Sequence, residues 1–140
     1  MASRSSCSWV LVVLLLTVSS TYGGPCNEGD GFATFFSRFT IEQQFRNERI
    51  VFPLHALVGS PSEGQSKERW SREQLGASFN IPVPIQNLEK EGLREETRRL
   101  SPKEVEVEQF IPAADSYNVT YRFKLKGGCW YLVHYEDSSY

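Results

Sequence analysis

The sequence is poor in the residues from which metal sites and nucleophilic catalytic sites are usually built. It contains two histidines and three cysteines in 140 residues. Neither a Cys-x-x-Cys nor a His-x-x-x-His pair occurs, so the spacings typical of zinc sites are absent. The chain also has no glycine-rich phosphate loop and no nucleophile-elbow motif. We therefore expect neither a metal ion nor a cofactor.

No apolar run is long enough to cross a membrane as a helix. The run at residues 9–18 follows Arg4 and precedes small polar residues, and it is about half as long as a hydrocarbon core of about 30 Å requires. This layout is typical of a secretory signal peptide. We predict a signal peptide at residues 1–24, a single domain at residues 25–140, no transmembrane segment, and a secreted or periplasmic location.

An excess of positive charge is also missing. The formal net charge is −2, which does not favour nucleic acid as a partner. Charges of both signs alternate along residues 89–103, a pattern typical of a solvated helix-like or loop surface. An anion site there would require Arg94, Arg98 and Arg99 to gather on one concave face. We expect an unidentified small molecule or a protein as the partner, and a homodimer is left open.

Two cysteines remain once the signal peptide is removed, because Cys7 leaves with it. In an oxidising compartment Cys26 and Cys129 can form a disulfide, and closing a loop of this length contributes about 4 to 5 kcal/mol in the chain-entropy model. A lipid anchor on Cys26 is a second interpretation, although Pro25 and Gly23 are not the residues that a lipoprotein signal requires. A catalytic thiol, the third interpretation, needs a neighbouring base that the linear sequence does not supply.

Aromatic residues follow a helical period soon after the cleavage region. The residues at i, i+3, i+4 and i+7 are Phe32, Phe35, Phe36 and Phe39. Their rings share one face of a predicted helix. Such a stripe is more typical of a hydrophobic core than of a ligand platform, because each ring removes a large apolar area from water.

A second, shorter helix is predicted directly afterwards. Residues 40–43 have the sequence of a capping box that begins at Thr40. Ile41 and Phe45 would then lie on the apolar side of this helix.

The pattern becomes strand-like after Arg49. Residues 50–58 place apolar side chains on both alternating faces of a predicted strand. Pro53 cannot donate a ladder hydrogen bond, so this strand should lie at an edge or carry a bulge there. Residues 67–75 are predicted as a short exposed helix or turn around Trp70, and residues 79–85 as an extended segment because of their prolines.

The last third of the chain has the clearest strand pattern. In residues 104–109 glutamates alternate with residues that face a core, and in residues 117–126 aromatic and aliphatic residues alternate with polar and basic ones. Gly127-Gly128 then provides a hairpin turn before a final strand at residues 129–135. The sequence therefore predicts an α+β fold in which an N-terminal aromatic helix packs on a curved antiparallel sheet in a cone-like arrangement.

Two segments carry a family resemblance: residues 32–54, FATFFSRFTIEQQFRNERIVFPL, and residues 123–134, FKLKGGCWYLVH. They resemble a family of exported bacterial proteins of unknown function, whose members are similar to the nuclear-transport-factor-like, or cystatin-like, cone fold. The resemblance is most specific in FRxxRIxFPL and is weak over residues 59–100. It implies a cone fold, no agreed activity and, because many exported members carry a lipid on a cysteine at the position of Cys26, a lipid-anchored location as the alternative.

The same superfamily includes ketosteroid isomerase and scytalone dehydratase, whose pockets hold an acid or a histidine beside apolar walls. Because a general acid or base needs a pKa shifted by burial, the candidates are ionisable residues at inward positions. They are His55, which has apolar neighbours on the first strand, and His134, which lies on the same strand face as Trp130 and Leu132. The residues that could offer hydroxyl groups to a ligand in the pocket are Tyr117, Tyr121, Tyr131 and Tyr135.

Two functional hypotheses follow from these observations. The first is an exported, non-catalytic binding or interaction domain for an unknown ligand. The alternative is a small-molecule isomerase or hydrolase-like enzyme that uses a pocket histidine or tyrosine for proton transfer.

Overall fold

The computed structural model describes Cys26, residues 31–114 and residues 116–140. The signal peptide predicted for residues 1–24 lies outside these residues. The described elements are α1 (Phe32–Ile41), α2 (Gln43–Glu48), β1 (Ile50–Val58), β2 (Ser66–Trp70), α3 (Leu75–Ser78), a 3-10 turn (Ile85–Asn87), β3 (Arg94–Ser101), β4 (Glu104–Phe110), β5 (Asn118–Lys126) and β6 (Cys129–Asp137). Within the described part of the chain, no helix is long and apolar enough to cross a bilayer.

The six strands form one curved, open sheet in the order β2-β1-β6-β5-β4-β3. The predicted α+β class, with a helix on a mostly antiparallel sheet, is confirmed. One strand pair differs from the prediction, because β1 and β6 run parallel. The last strand therefore lies between the first strand and β5, which brings distant parts of the chain together at the centre of the sheet.

The aromatic helix packs on one face of the sheet, which we call the inner face. All four phenylalanines of the predicted stripe are buried in the hydrophobic core. Their rings contact Phe123 of β5, and the ring centroids of Phe39 and Phe123 are 5.2 Å apart. Burying one such side chain contributes about 1.5 to 3 kcal/mol. The core therefore forms between the buried face of α1, which repeats with the helical period, and the buried face of β5, which repeats every two residues.

The predicted capping box is wrong, because Thr40 lies inside α1. Its hydroxyl donates to the carbonyl oxygen of Ser37 at 2.8 Å, and Ile41 is 59% exposed instead of facing a core. The buried guanidinium of Arg46 donates to the carbonyl oxygens of Phe39 and Thr40 at 2.8 and 3.2 Å. Arginine from α2 thus satisfies the terminal carbonyls of α1, a role that a local capping motif cannot reveal.

The edge position predicted for β1 is also wrong, since β1 lies between β2 and β6. The alternative prediction, an irregularity at Pro53, agrees with the structure. The register between β1 and β6 shifts between Ile50 and His55, and the peptide bond between Phe52 and Pro53 is cis. Because the pairing of β1 with β6 is interrupted here, the ladder does not require a backbone N–H donor at Pro53.

Two segments predicted as helix, turn or loop form strands. Trp70 belongs to β2, where it is buried, and the short helix α3 begins only at Leu75. The mixed-charge segment forms the edge strand β3, which pairs with β4. An edge strand can keep polar side chains on both faces in contact with water, so no apolar alternation marks it in the sequence.

Cys26 and Cys129, at the start of β6, form a disulfide. Their Cα atoms are 5.4 Å apart, and the two residues are 103 positions apart in the sequence. Of the three interpretations left open by the sequence, the structure supports the disulfide, which leaves neither sulfur available for a lipid anchor or a nucleophilic thiol.

Candidate functional site

The inner face is covered by two different parts of the chain. Helix α1 covers the region around Phe123 and Trp130, and residues 79–83, here called the covering segment, lie over Tyr121 and Tyr135. The ring of Phe79 is 5.1 Å from that of Tyr135, measured between centroids.

Four polar residues form a hydrogen-bonded network, here called the tyrosine network: Asn80 of the covering segment, Tyr121, Tyr135 and Asp137. The Tyr121 hydroxyl donates to the carbonyl oxygen of Asn80 at 2.6 Å, and the Asn80 N–H donates to the Tyr135 hydroxyl oxygen at 3.2 Å. The Tyr135 hydroxyl and the Asn80 side-chain amide both donate to Oδ2 of Asp137, at 3.2 and 2.7 Å. The network therefore attaches the backbone of the covering segment to β5 and β6.

A buried glutamine attaches the same segment to β4. The N–H of Val83 donates to Oε1 of Gln109, and Nε2 of Gln109 donates back to the carbonyl oxygen of Val83, both at 2.8 Å. Nε2 of Gln109 also donates to Oε2 of Glu95 on β3 at 2.8 Å. Because Gln109 is completely buried, its amide supplies the hydrogen bonds that a neighbouring strand would otherwise give to Val83.

Burial changes the acidity of these inner groups. It raises the pKa of Tyr121 and of Tyr135 well above the usual value for a phenol, and raises that of Tyr117 as well. These hydroxyls are therefore neutral hydrogen-bonding groups near pH 7. Burial also raises the pKa of Glu95, against the opposing effect of its bond from Gln109. Sequence reasoning missed Glu95 because nothing in the polar pattern of β3 marks its inward orientation.

Neither histidine lies on the inner face. His55 is exposed between the buried residues Leu54 and Ala56, and it pairs in register with His134 of β6. Burial lowers the pKa of His134, and the positive charge of Arg122 lowers it further. The structure thus brings together the chain's two histidines on the opposite, outer face of the sheet.

A β-bulge explains why the predicted orientation of His134 is wrong. In the pairing of β5 with β6, Phe123 faces Leu132 and Arg122 faces His134, so Val133 is an extra residue in β6. An extra residue reverses the inward and outward alternation. Tyr135, not His134, therefore continues the buried face that begins with Trp130 and Leu132.

The candidate tyrosines divide between the two faces. Tyr121 and Tyr135 are completely buried on the inner face, and the half-buried Tyr117 lies beside Tyr121. Tyr131 points to the outer face, where the guanidinium carbon of Arg49 is 5.6 Å from the centroid of its ring. The alternation of β5 gave a signal for Tyr121, whereas the inner position of Tyr135 depends on the bulge in β6. The partners of Asn80 and Gln109 depend on tertiary contacts.

One register row of the outer face carries an ionisable side chain on every strand. In sheet order from β2 to β3, its members are Arg69, His55, His134, Arg122, Glu106 and Arg98. Glu106 accepts hydrogen bonds from Arg122 and Arg98, each at 2.8 Å. We call these six residues the outer row.

The chemistry available to the two faces is different. Among the described residues, no buried side-chain nitrogen or oxygen lacks a hydrogen-bond partner, and no group of three or more His, Cys, Asp or Glu residues is placed to hold a metal ion. The inner polar groups are already bonded to the chain itself. The outer row, in contrast, presents charge on a partly exposed surface.

Comparison with known proteins identifies the fold. No protein-family model and no curated protein matches the chain. An NTF2-like protein from Bacteroides fragilis is similar with a TM-score of 0.61 and 18% identity over 81% of this chain, which spans only 49% of that protein. A cystatin-like protein from Bacteroides caccae is similar with a TM-score of 0.52 and 18% identity, covering 79% of this chain and 77% of the other. The NTF2-like, cystatin-like fold implied by the resemblance is confirmed.

Proposed function

We propose that this protein is an exported, non-catalytic binding domain that recognises its partner through the outer face of the sheet. The observation that carries this proposal is the occupation of the inner face by the chain's own α1 and covering segment. Tyr121, Tyr135 and Gln109, which could otherwise orient a substrate, donate to or accept from main-chain atoms of the covering segment.

Export is supported by the signal-like N-terminal pattern together with the disulfide between Cys26 and Cys129. Disulfides persist mainly in oxidising compartments. Mass spectrometry of the protein recovered from the periplasm or medium is expected to give a chain that lacks the signal and weighs two hydrogens less than its reduced form. A lipid-modified Cys26, or a chain retaining its first residues in the cytoplasm, would contradict this part of the proposal.

The absence of catalysis is supported by the state of the candidate proton-transfer groups. The buried phenols have raised pKa values and cannot act as bases near neutral pH. The two histidines lie on the outer face, away from the apolar walls of the inner face.

An enzymatic function remains the second candidate because of Glu95. A carboxyl group with a raised pKa on the inner face is the kind of group that serves as a general acid or base. Proton transfer would then belong to Glu95 and not to the histidines and tyrosines that the sequence suggests. Its bond from Gln109 would have to be released before Glu95 could reach a substrate.

The two functions can be separated with the exported, disulfide-bonded protein. Hydrogen–deuterium exchange at enolisable ketones and hydrolysis of activated esters test proton transfer even while the natural substrate is unidentified. We expect no rate above that of buffer. Glu95→Gln is the test variant, and Glu96→Gln, which changes the exposed neighbour on the same strand, is its matched control. Turnover that disappears in Glu95→Gln and persists in Glu96→Gln would establish the enzyme instead.

A further inference from the structure

We infer that the outer row binds a sulfated polysaccharide and binds it more tightly in mildly acidic conditions. This inference rests on the proposed use of the outer face and adds the chemistry of the partner. It begins from the placement of the two histidines, which are 79 positions apart in the sequence yet occupy neighbouring positions in the sheet.

The neighbours of the histidine pair are arginines on both sides. Arg69 of β2 pairs in register with His55, and Arg122 of β5 pairs in register with His134. Four adjacent strands thus carry side chains that are cationic or can become so. At a strand spacing of about 4.8 Å, they extend over about 14 Å. This arrangement favours an anion over a metal ion, because a metal bound by the two imidazoles would be repelled by both arginines.

The remaining members of the row add to this excess of positive charge. Glu106 accepts hydrogen bonds from Arg122 and Arg98 at 2.8 Å each, and outside the row Glu104 and Glu108 lie 4.0 Å from Arg122 and 3.4 Å from Arg98. Counted within the row alone, three arginines face one carboxylate, an excess of two positive charges. A proton on His134 adds to that excess.

Charged groups on the surrounding strands act on His134. Arg122 and His55 lower the pKa of His134, whereas the carboxylates of Glu136 and Glu106 raise it, and burial is the largest effect and lowers it. From β2, Lys67 pairs with Leu57, one outward position from His55, and adds a further positive charge near the row. A bound anion would favour the protonated imidazoles against these cations, so binding and protonation should be coupled.

The narrow width of the row limits which polyanions can bind along it. Carboxylates lie along both sides of it: Glu104 lies one outward position below Glu106, paired with Lys124 at 3.7 Å, and Glu108 and Glu136 lie one outward position above. A duplex of nucleic acid is wide enough to bring phosphates against these carboxylates, whereas a single narrow chain can follow the row. This favours an extended polysaccharide.

The pH range in which the row gains positive charge limits which anionic group the ligand can carry. Burial holds the pKa of His134 below the usual histidine value of about 6.5, a range in which phosphate monoesters lose their second charge near pH 6 and carboxylates approach their own pKa near 4. Sulfate esters keep their charge throughout. Among polysaccharides that carry phosphate monoesters, carboxylates or sulfate esters, the sulfated chain is therefore the one whose charge persists while that of the row increases.

The test measures binding of dextran sulfate to the exported, disulfide-bonded protein at pH 5 and pH 7.5, with neutral dextran as the control ligand. We expect binding about tenfold tighter at pH 5, within the usual range for two coupled sites. The double variant His55→Gln, His134→Gln should lose the pH dependence. Arg69→Gln should weaken binding at both pH values, while Lys126→Gln, which removes the same charge at the hairpin end of β5, should not.

A variant with the opposite effect tests the role of charge directly. Glu106→Gln removes the carboxylate that Arg98 and Arg122 share and leaves Glu104 and Glu108 in place, so it should tighten binding at both pH values. The proposal is overturned if dextran sulfate does not bind at pH 5, if the histidine variant keeps the pH dependence, if duplex DNA binds equally well, or if zinc binds the wild type in preference to the polymer. The turnover assay with Glu95→Gln is independent of these outcomes, so the proposed function can stand or fall separately.

Discussion

The two faces of the sheet use polar residues in opposite ways. On the inner face, Tyr121 and Gln109 are completely buried and bind the main chain of the covering segment. On the outer face, Arg122 and Arg98 remain partly exposed and bind the carboxylate of Glu106. A buried hydrogen bond that loses one partner leaves the other without water, so the inner groups hold the fold together, whereas the guanidinium groups of Arg122 and Arg98 are also in contact with water.

A single bulge assigns two residues to these faces. Without the extra residue Val133, His134 would continue the row of Trp130 and Leu132 and would lie under the covering segment. With it, Tyr135 takes the inner position and His134 joins His55 outside. The separation of a sealed inner face from a charged outer face therefore depends on an irregularity in β6.

The largest expected effect is on the aromatic core of the inner face. Phe39→Ala should cost about 3 to 5 kcal/mol of unfolding free energy, because Phe39 is fully buried against Phe123. Thr120→Ala on the outer face of β5 should change it by less than about 0.5 kcal/mol. Urea unfolding of the disulfide-bonded protein measures both. Similar losses at the two positions would contradict the distinction between the faces.

The next effect concerns the attachment of the covering segment. Gln109→Leu replaces the amide with an apolar side chain of similar size and leaves the N–H and the carbonyl of Val83 without partners. We therefore expect the free energy of unfolding to fall by about 2 to 4 kcal/mol. Amide hydrogen exchange at Val83 should become faster at the same time. Glu108→Gln, one residue earlier on the outer face, is the control. Unchanged protection at Val83 in Gln109→Leu would show that the glutamine does not hold the segment.

A smaller effect is expected from one hydroxyl group. Tyr121→Phe removes the donor to the carbonyl oxygen of Asn80 and should cost about 1 to 2 kcal/mol. Tyr131→Phe makes the same chemical change on the outer face and should be nearly neutral. Thermal unfolding of the two variants compares them directly. A larger loss in Tyr131→Phe would reverse the assignment of the tyrosines to the two faces.

The sequence predicts those parts of the fold in which burial follows a simple period. The four rings of α1 and the alternation around Tyr121 and Phe123 indicate their buried faces without tertiary information. The Gly127-Gly128 turn is also predictable, since both residues adopt the positive φ values that glycine allows. The helix, the hairpin and the inner position of Tyr121 therefore follow from local pattern.

The parts that escape prediction depend on contacts between distant residues. Strand β3 has no apolar alternation, so its partner β4 and the inward position of Glu95 appear only in the structure. The parallel pairing of β1 with β6 brings His55 to His134 across most of the chain. Asn80 acts through its main chain, which any residue possesses, so its identity gives no signal.

The smallest expected effects come from one titratable group on each face, and they have opposite signs. The raised pKa of Glu95 means that the folded protein holds this proton more tightly than the unfolded chain, whose pKa is near 4.5. Stability should therefore fall as the pH rises from about 4.5 through the folded pKa. The lowered pKa of His134 means that the unfolded chain, with a pKa near 6.5, holds its proton more tightly. That contribution is complete above pH 6.5 and is lost as the pH falls through the folded pKa.

Single substitutions separate the two contributions. Urea unfolding between pH 4 and pH 8 should show that Glu95→Gln removes only the loss with rising pH and that His134→Gln removes only the loss with falling pH. Dextran sulfate at pH 5 should restore the stability that protonation of His134 takes away, because it binds the protonated outer row of the folded protein. It should leave the contribution of Glu95 unchanged, since Glu95 lies on the inner face. A polymer that altered both contributions equally would show that the two faces are coupled. That result would contradict the assignment of fold stability to the inner face and of ligand binding to the outer face.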